Sequence, residues 1–137
     1  MLTLSITGFD ADPDRVTELL GISPSEVVRV GQPRTSGRIS KFNGWWLELH
    51  ADQLTEGLRH EGAINKLVEH LEGRDHLFSE LRNKLKPESV TIYGAFYVSD
   101  EQQGIWLEPA QMAVLAACGV GWGLDLCQAD TQEETSC

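Results

Sequence analysis

From its second residue the chain alternates: Leu2, Leu4 and Ile6 are apolar, while Thr3, Ser5 and Thr7 are polar. A period of two predicts a strand with one buried face. Asp12 followed by Pro13 then opens a helix whose apolar stripe is Val16, Leu19 and Leu20 and which stops at Gly21. Val28 and Val30 mark a second strand around EVVRV, and a loop runs from Gly31 to about Asn43. In the strand that follows, Trp45, Leu47 and Leu49 share one face.

The middle third changes period. Ile64, Leu67, Val68 and Leu71 recur at three-four spacing, as do Leu77, Phe78, Leu81 and Leu85. Gly73-Arg74-Asp75 interrupts them and Pro87 ends them, which predicts two helices or one kinked helix. Val90, Ile92, Phe96 and Val98 form the inward row of a fourth strand, and a short strand is expected at Gly104–Leu107. A last helix starts after Glu108, with Pro109 in its first turn, and ends at Gly119. Trp122, Leu124 and Leu126 lie on one side of a final strand.

The order β-α-β-β-α-α-β-β-α-β has too few helices to cover both faces of a sheet of about six strands. They are therefore expected on one face, giving an α+β two-layer sandwich with a mixed, mostly antiparallel sheet. The opening elements suggest a ferredoxin-like β-α-β-β-α start, in which the Trp45–Leu49 strand is central and pairs with the first.

With 137 residues the chain is one domain by length. We place the domain at residues 1–127 and read 128–137 as an acidic, frayed tail. No apolar run approaches the length of a membrane span, and MLTLSITGFD lacks the basic and apolar regions of a secretory signal. A cytoplasmic protein without membrane partners is the expectation. Cys118, Cys127 and Cys137 form no CxxC pair, and an odd count argues against a disulfide framework.

Charge sharpens the picture. The formal net charge is -10, from 21 acidic and 11 basic residues, which argues against nucleic acid as a partner. Yet between Val27 and Leu47 there is no acidic residue, and Arg29, Arg34, Arg38 and Lys41 are all basic. The stretch VVRVGQPRTSGRISKFNGWWL closes on Trp45-Trp46. Arg34, Arg38 and Lys41 could hold an anionic group there, with Gly31 and Gly37 admitting close backbone approach. The competing reading is a solvated hairpin whose arginines pair with the protein's own carboxylates.

A second candidate is the sheet face away from the helices. If Trp45, Leu47 and Leu49 face inward, Trp46 faces outward, and the same parity turns Tyr93, Tyr97 and Trp106 out as well. Four aromatics on an uncovered face would form a contact surface. Against this, loops or the tail would cover the rings, a bulge in one strand would reverse the parity, and aromatic residues also favour strands for ordinary packing reasons.

Other chemistry is unsupported. There is no GxxxxGK[ST], GxGxxG or GxSxG, and His50, His60, His70 and His76 lack HxxxH or HExxH spacing. No cofactor, metal or catalytic residue is expected. The aromatic-basic strand signatures of RNA-binding sheets are also lacking.

Several short features together are similar to a known bacterial family. They are the alternating first strand with Gly8, the acidic-Pro helix start, Leu20-Gly21-Ile22 with Pro24 behind it, and Gly31 after the second strand. The basic loop, the Gly44-Trp45 strand opening and the closing Gly123-Leu124-Asp125 complete the set. The chain resembles the family catalogued as domain of unknown function 4279 over nearly its whole length. The resemblance implies a small stand-alone α+β domain and brings no activity or catalytic residue with it. Trp46 and the acidic tail after Gln128 depart from the pattern.

Two readings of function follow. In the first, the protein is a non-enzymatic interaction module that binds a protein partner, or a second copy of itself, through the outer sheet face with the basic loop at its rim. An immunity-type protein that neutralises a basic toxin is one version. In the second, it binds a small anionic ligand between Arg34 or Arg38 and an aromatic ring such as Trp46.

Overall fold

The alternation at the N-terminus builds β1 (Leu2–Phe9), with Leu2, Leu4 and Ile6 fully buried and Thr3, Ser5 and Thr7 on the opposite face. The computed structural model describes residues 2–34, 36–50, 59–98 and 105–128, with the backbone alone for 59–61, 95–98 and 126–128. After β1 come α1 (Asp14–Leu20), β2 (Glu26–Val28), β3 (Asn43–Leu49), α2 (Arg59–Leu71), α3 (Asp75–Leu85), β4 (Ser89–Val98), α4 (Pro109–Cys118) and β5 (Gly121–Gln128). The expected acidic tail, beyond Gln128, lies outside the described residues.

The strands form one open sheet in the order β2-β3-β1-β4-β5. Neighbours are antiparallel except β4 and β5, which run parallel and are joined through α4. β3 sits between β1 and β2, so the opening β-α-β unit is split, and the Trp45–Leu49 strand pairs with the first as expected. The helices make one layer: α1 packs on α3, α3 on α4, and α2 on both α4 and β3. The result is an α+β two-layer protein.

Burial explains the layering. Trp45, Leu47 and Leu49 of β3 and Ile92 of β4 join the β1 leucines beneath Val16, Leu20, Leu67, Leu71, Phe78 and Leu81 of the helices. Trp45 is wholly buried, and its Nε1–H donates to Thr17 Oγ1 at 3.0 Å, so the indole enters the core without stranding its one donor. Cys118 is the small core residue its Ala- and Leu-rich surroundings suggest. Burial pushes its thiol pKa up, which keeps it protonated.

The helix ends fall where the punctuation puts them. Asp12 Oδ1 accepts from the Asp14 N–H at 2.9 Å, and Gly21 closes α1 in the left-handed region. α4 opens on a capping box between Glu108 and Gln111, with Pro109 next. Arg74 donates to the carbonyls of Leu20 and His70, and Arg82 to those of Cys118 and Gly119, so two arginines close helix C-termini.

Two expectations need correction. Among the described residues the sheet has five strands rather than about six: of the strand expected at Gly104–Leu107, Gly104 lies outside the described residues and Ile105–Leu107 is not strand. Its alternation reads as a strand, but Ile105 and Leu107 pack on the core while the segment leads into the α4 capping box. β2 is also shorter than EVVRV: it ends at Val28, and Arg29 turns away to pair with Asp12.

Candidate functional site

The β2–β3 connection continues beyond the sheet as a hairpin. Gly31 N–H donates to the Ser40 carbonyl and Ser40 N–H to the Gln32 carbonyl, each at 2.9 Å, and Pro33 bridges Ile39. At the tip, Arg34 N–H donates to the Arg38 carbonyl at 2.7 Å and Gly37 N–H to the Arg34 carbonyl at 2.8 Å. Gly37 has φ 80°, the left-handed conformation that such a tight reversal needs and that glycine adopts without steric cost.

Asn43 anchors the base. It is 7% exposed, and its Oδ1 accepts from Val30 N–H at 2.8 Å. Its Nδ2 donates to the carbonyls of Phe9, Asp10 and Ala11 at 3.0, 3.2 and 3.0 Å. One side chain thus ties the hairpin to the end of β1 and the turn before α1. Beside it, Arg29 forks onto Asp12 at 2.9 and 3.1 Å and reaches Asp14 at 3.2 Å. The hydrogen bond from Arg29 and that from the Asp14 backbone hold the Asp12 carboxyl below its ordinary pKa.

On the outward face of β3, Trp46 stands between Ser5 of β1 and Glu26 of β2. Its ring lies across Gly44: a Cβ on Gly44 would sit 2.6 Å from Cζ3 and 2.8 Å from Cζ2. The hairpin brings Arg34 back over this ring, with its guanidinium carbon 5.7 Å from the Trp46 centroid and 5.7 Å from that of Phe42. Both distances are in the range where a cation is attracted by the ring quadrupole.

Arg34, Arg38 and Lys41 line one open concavity of about 640 Å³, together with Ile39, Phe42 and two serines. Among the described residues none of the three cations has a carboxylate within ion-pair distance. This differs from Arg15 with Glu18, Arg29 with Asp12 and Asp14, and Lys84 with Glu80. Among the described residues, then, the protein's own acids neutralise Arg29 and not the other three.

The expected aromatic face is thinner than four rings. Tyr93 is there, 44% exposed and opposite Thr3, and Trp46 is there, half-buried beneath Arg34. The side chain of Tyr97 lies outside the described residues. Trp106 is not on this face. It is 71% exposed in the segment before α4, donates to Glu108 at 2.9 Å, and lines a small polar hollow with Asn65 and Gln111 at the α2–α4 edge. The parity argument required a strand at Trp106, and there is none. Around them the outer face carries Thr3, Ser5, Thr7, Ser89 and Thr91 with Gly121 and Gly123, and the carboxylates of Glu26, Glu48 and Asp125.

The site also uses residues that sequence reasoning does not single out: Ile39 and Phe42 in the concavity, and Asn43 as its anchor. Gly44, legible as the opening of the strand, gains its reason only from the Trp46 ring two positions on. His50 lies 3.5 Å from Glu48, and no cluster of three metal-ligating side chains occurs among the described residues. Among the described residues no helix is long and apolar enough to cross a membrane.

What the arrangement offers is fixed positive charge beside aromatic rings on a hairpin pinned at its base. No curated protein and no solved structure matches the chain. A family model does, over residues 1–128, and with it the chain belongs to the family described as Domain of unknown function (DUF4279).

Proposed function

We propose that this chain is a non-enzymatic binding module whose contact site is the basic hairpin, where it holds an anionic group. The observation that carries the reading is the convergence of Arg34, Arg38 and Lys41 on one concavity, with no carboxylate partner among the described residues, in a protein of net charge -10. Solvated single cations are ordinary. Three that meet no carboxylate among the described residues, on an anchored loop of a chain with ten more acidic than basic residues, form a local positive field. Arg34 is further ordered by Phe42 and Trp46, so less rotamer entropy is lost when it engages a ligand.

The outer sheet face gives weaker support as the contact surface, because Tyr93 alone among its described side chains is a large exposed ring. Tyr93 does not line the concavity and is not part of the contact site. Binding of an anion to the folded state raises the melting temperature by mass action. With citrate or inorganic phosphate, compared with chloride at matched ionic strength, the native protein is expected to gain stability. The Arg34→Ala, Arg38→Ala, Lys41→Ala triple variant is expected to gain none. Equal gains in both proteins would overturn the reading.

A further inference from the structure

Resting on that reading, we infer that the hairpin's ligand is a short acidic peptide segment carrying an apolar side chain, and that Ile39 and Phe42 receive that side chain. Ile39 is 67% exposed and Phe42 36% exposed, and both line the same concavity as Arg34, Arg38 and Lys41. A single exposed isoleucine is unremarkable on a protein surface. An isoleucine and a phenylalanine interleaved with three cations that meet no carboxylate among the described residues are a different matter. An inorganic anion would use the charges and leave both apolar groups in water, whereas a peptide uses both chemistries at once.

Size and charge agree with this. An open concavity of about 640 Å³ offers room for several side chains, more than one phosphate fills. Arg34 and Arg38 are backbone-paired across the turn, which holds two like charges together at a cost that an acidic partner relieves. The basic region ends abruptly, with Asp12 and Glu26 behind it and Glu48 beyond Trp46 on β3. A long polyanion such as nucleic acid would run from the hairpin onto an acidic body and be repelled, so the fitting partner is a segment no longer than the hairpin itself. Carboxylates suit the two arginines as bidentate acceptors.

Three fluorescein-labelled ten-residue peptides test the inference by anisotropy against the full chain. The first carries six Asp or Glu residues around a central Leu-Phe. The second has Ser-Ser in place of Leu-Phe. The third keeps Leu-Phe and replaces each acid by its amide. The first is expected to bind about tenfold or more tightly than either other, since removing a buried apolar side chain or a set of charge-assisted bonds each costs at least that much. Ile39→Asp and, separately, the Arg34→Ala, Arg38→Ala pair should each lose about tenfold, while Tyr93→Ser leaves affinity unchanged. Circular dichroism melts confirm that each variant is folded. If the first two peptides bind alike and Ile39→Asp is silent, the apolar half of the inference is overturned and the anion-binding reading stands. If the third binds as well as the first, or none binds while citrate still stabilises the native protein, the acidic-peptide inference is overturned outright. If neither the peptides nor citrate bind, the underlying reading fails with it.

Discussion

The indole of Trp46 lies flat across Gly44, two residues earlier on the same face of β3, so closely that a methyl group on Gly44 would overlap the ring. The glycine is thus a packing requirement set by the tryptophan. The same ring carries Arg34 above it. A chain of contact therefore runs from the strand through the indole to the basic hairpin.

Gly44→Ala is expected to swing Trp46 off the strand and release Arg34. Forcing a methyl group into a filled site costs about 1–3 kcal/mol. A denaturant melt reads the loss of stability, and a red shift of tryptophan emission reads the displaced ring, Trp45 remaining buried. Unchanged emission would mean that the ring finds room elsewhere on the outer face.

Arg34→Ala and Arg34→Lys separate charge from stacking. An exposed cation–π contact is worth about 0.5–1 kcal/mol, so Arg34→Ala should cost no more than about 1 kcal/mol of folding stability. Arg34→Lys retains the charge but loses the planar fork. It is expected to keep stability within about 0.5 kcal/mol and to weaken anion binding less than Arg34→Ala does, as calorimetry with citrate would show.

Asn43→Ala removes the acceptor for Val30 N–H and the donor shared by three carbonyls. Leaving such groups unmatched costs about 1–3 kcal/mol. Hydrogen exchange at the Val30 amide should accelerate more than exchange in the centre of β1. Asn43→Asp, which can accept but cannot donate to the three carbonyls, is expected to be at least as damaging.

The Arg29–Asp12 pair sets a small acid-side dependence. The folded-state pKa of Asp12 is lowered, chiefly by its hydrogen bond from Arg29 and next by that from the Asp14 backbone. A lowered carboxyl pKa adds stability that is fully present above the unfolded value, about 3.9, and is lost as pH falls through the lower folded value. Both partners are well solvated, so the effect is modest. Melting temperatures of the native protein and Asp12→Asn should differ near neutral pH and converge at the acid end. A difference that stays constant with pH would mean that the pair contributes through its geometry alone.

Much of the fold is legible in the sequence because burial enforces it. A strand with one buried face must alternate, and Leu2, Leu4 and Ile6 do so. Helix ends need left-handed or proline positions, and Gly21, Pro109 and Gly119 supply them. The missing strand at Ile105–Leu107 shows the limit: alternation states which side chains are buried and says nothing of what the backbone pairs with. That same limit misplaced Trp106. The hairpin was visible as charge and glycine, since a basic stretch in an acidic chain needs no structure to be noticed. Its partners were not. Whether Arg34 meets a carboxylate or a ring depends on how the loop folds back, and Asn43 reads as an ordinary turn residue until its four hydrogen bonds are seen.

The most direct test of the hairpin as the contact site is a nitrogen-15 NMR titration of the native protein with citrate. The account predicts that the amides of residues 31–46 and the side-chain Nε–H resonances of Arg34 and Arg38 shift together and saturate. Saturating shifts confined instead to the outer sheet face, at Thr3, Thr91 and Tyr93, would contradict it.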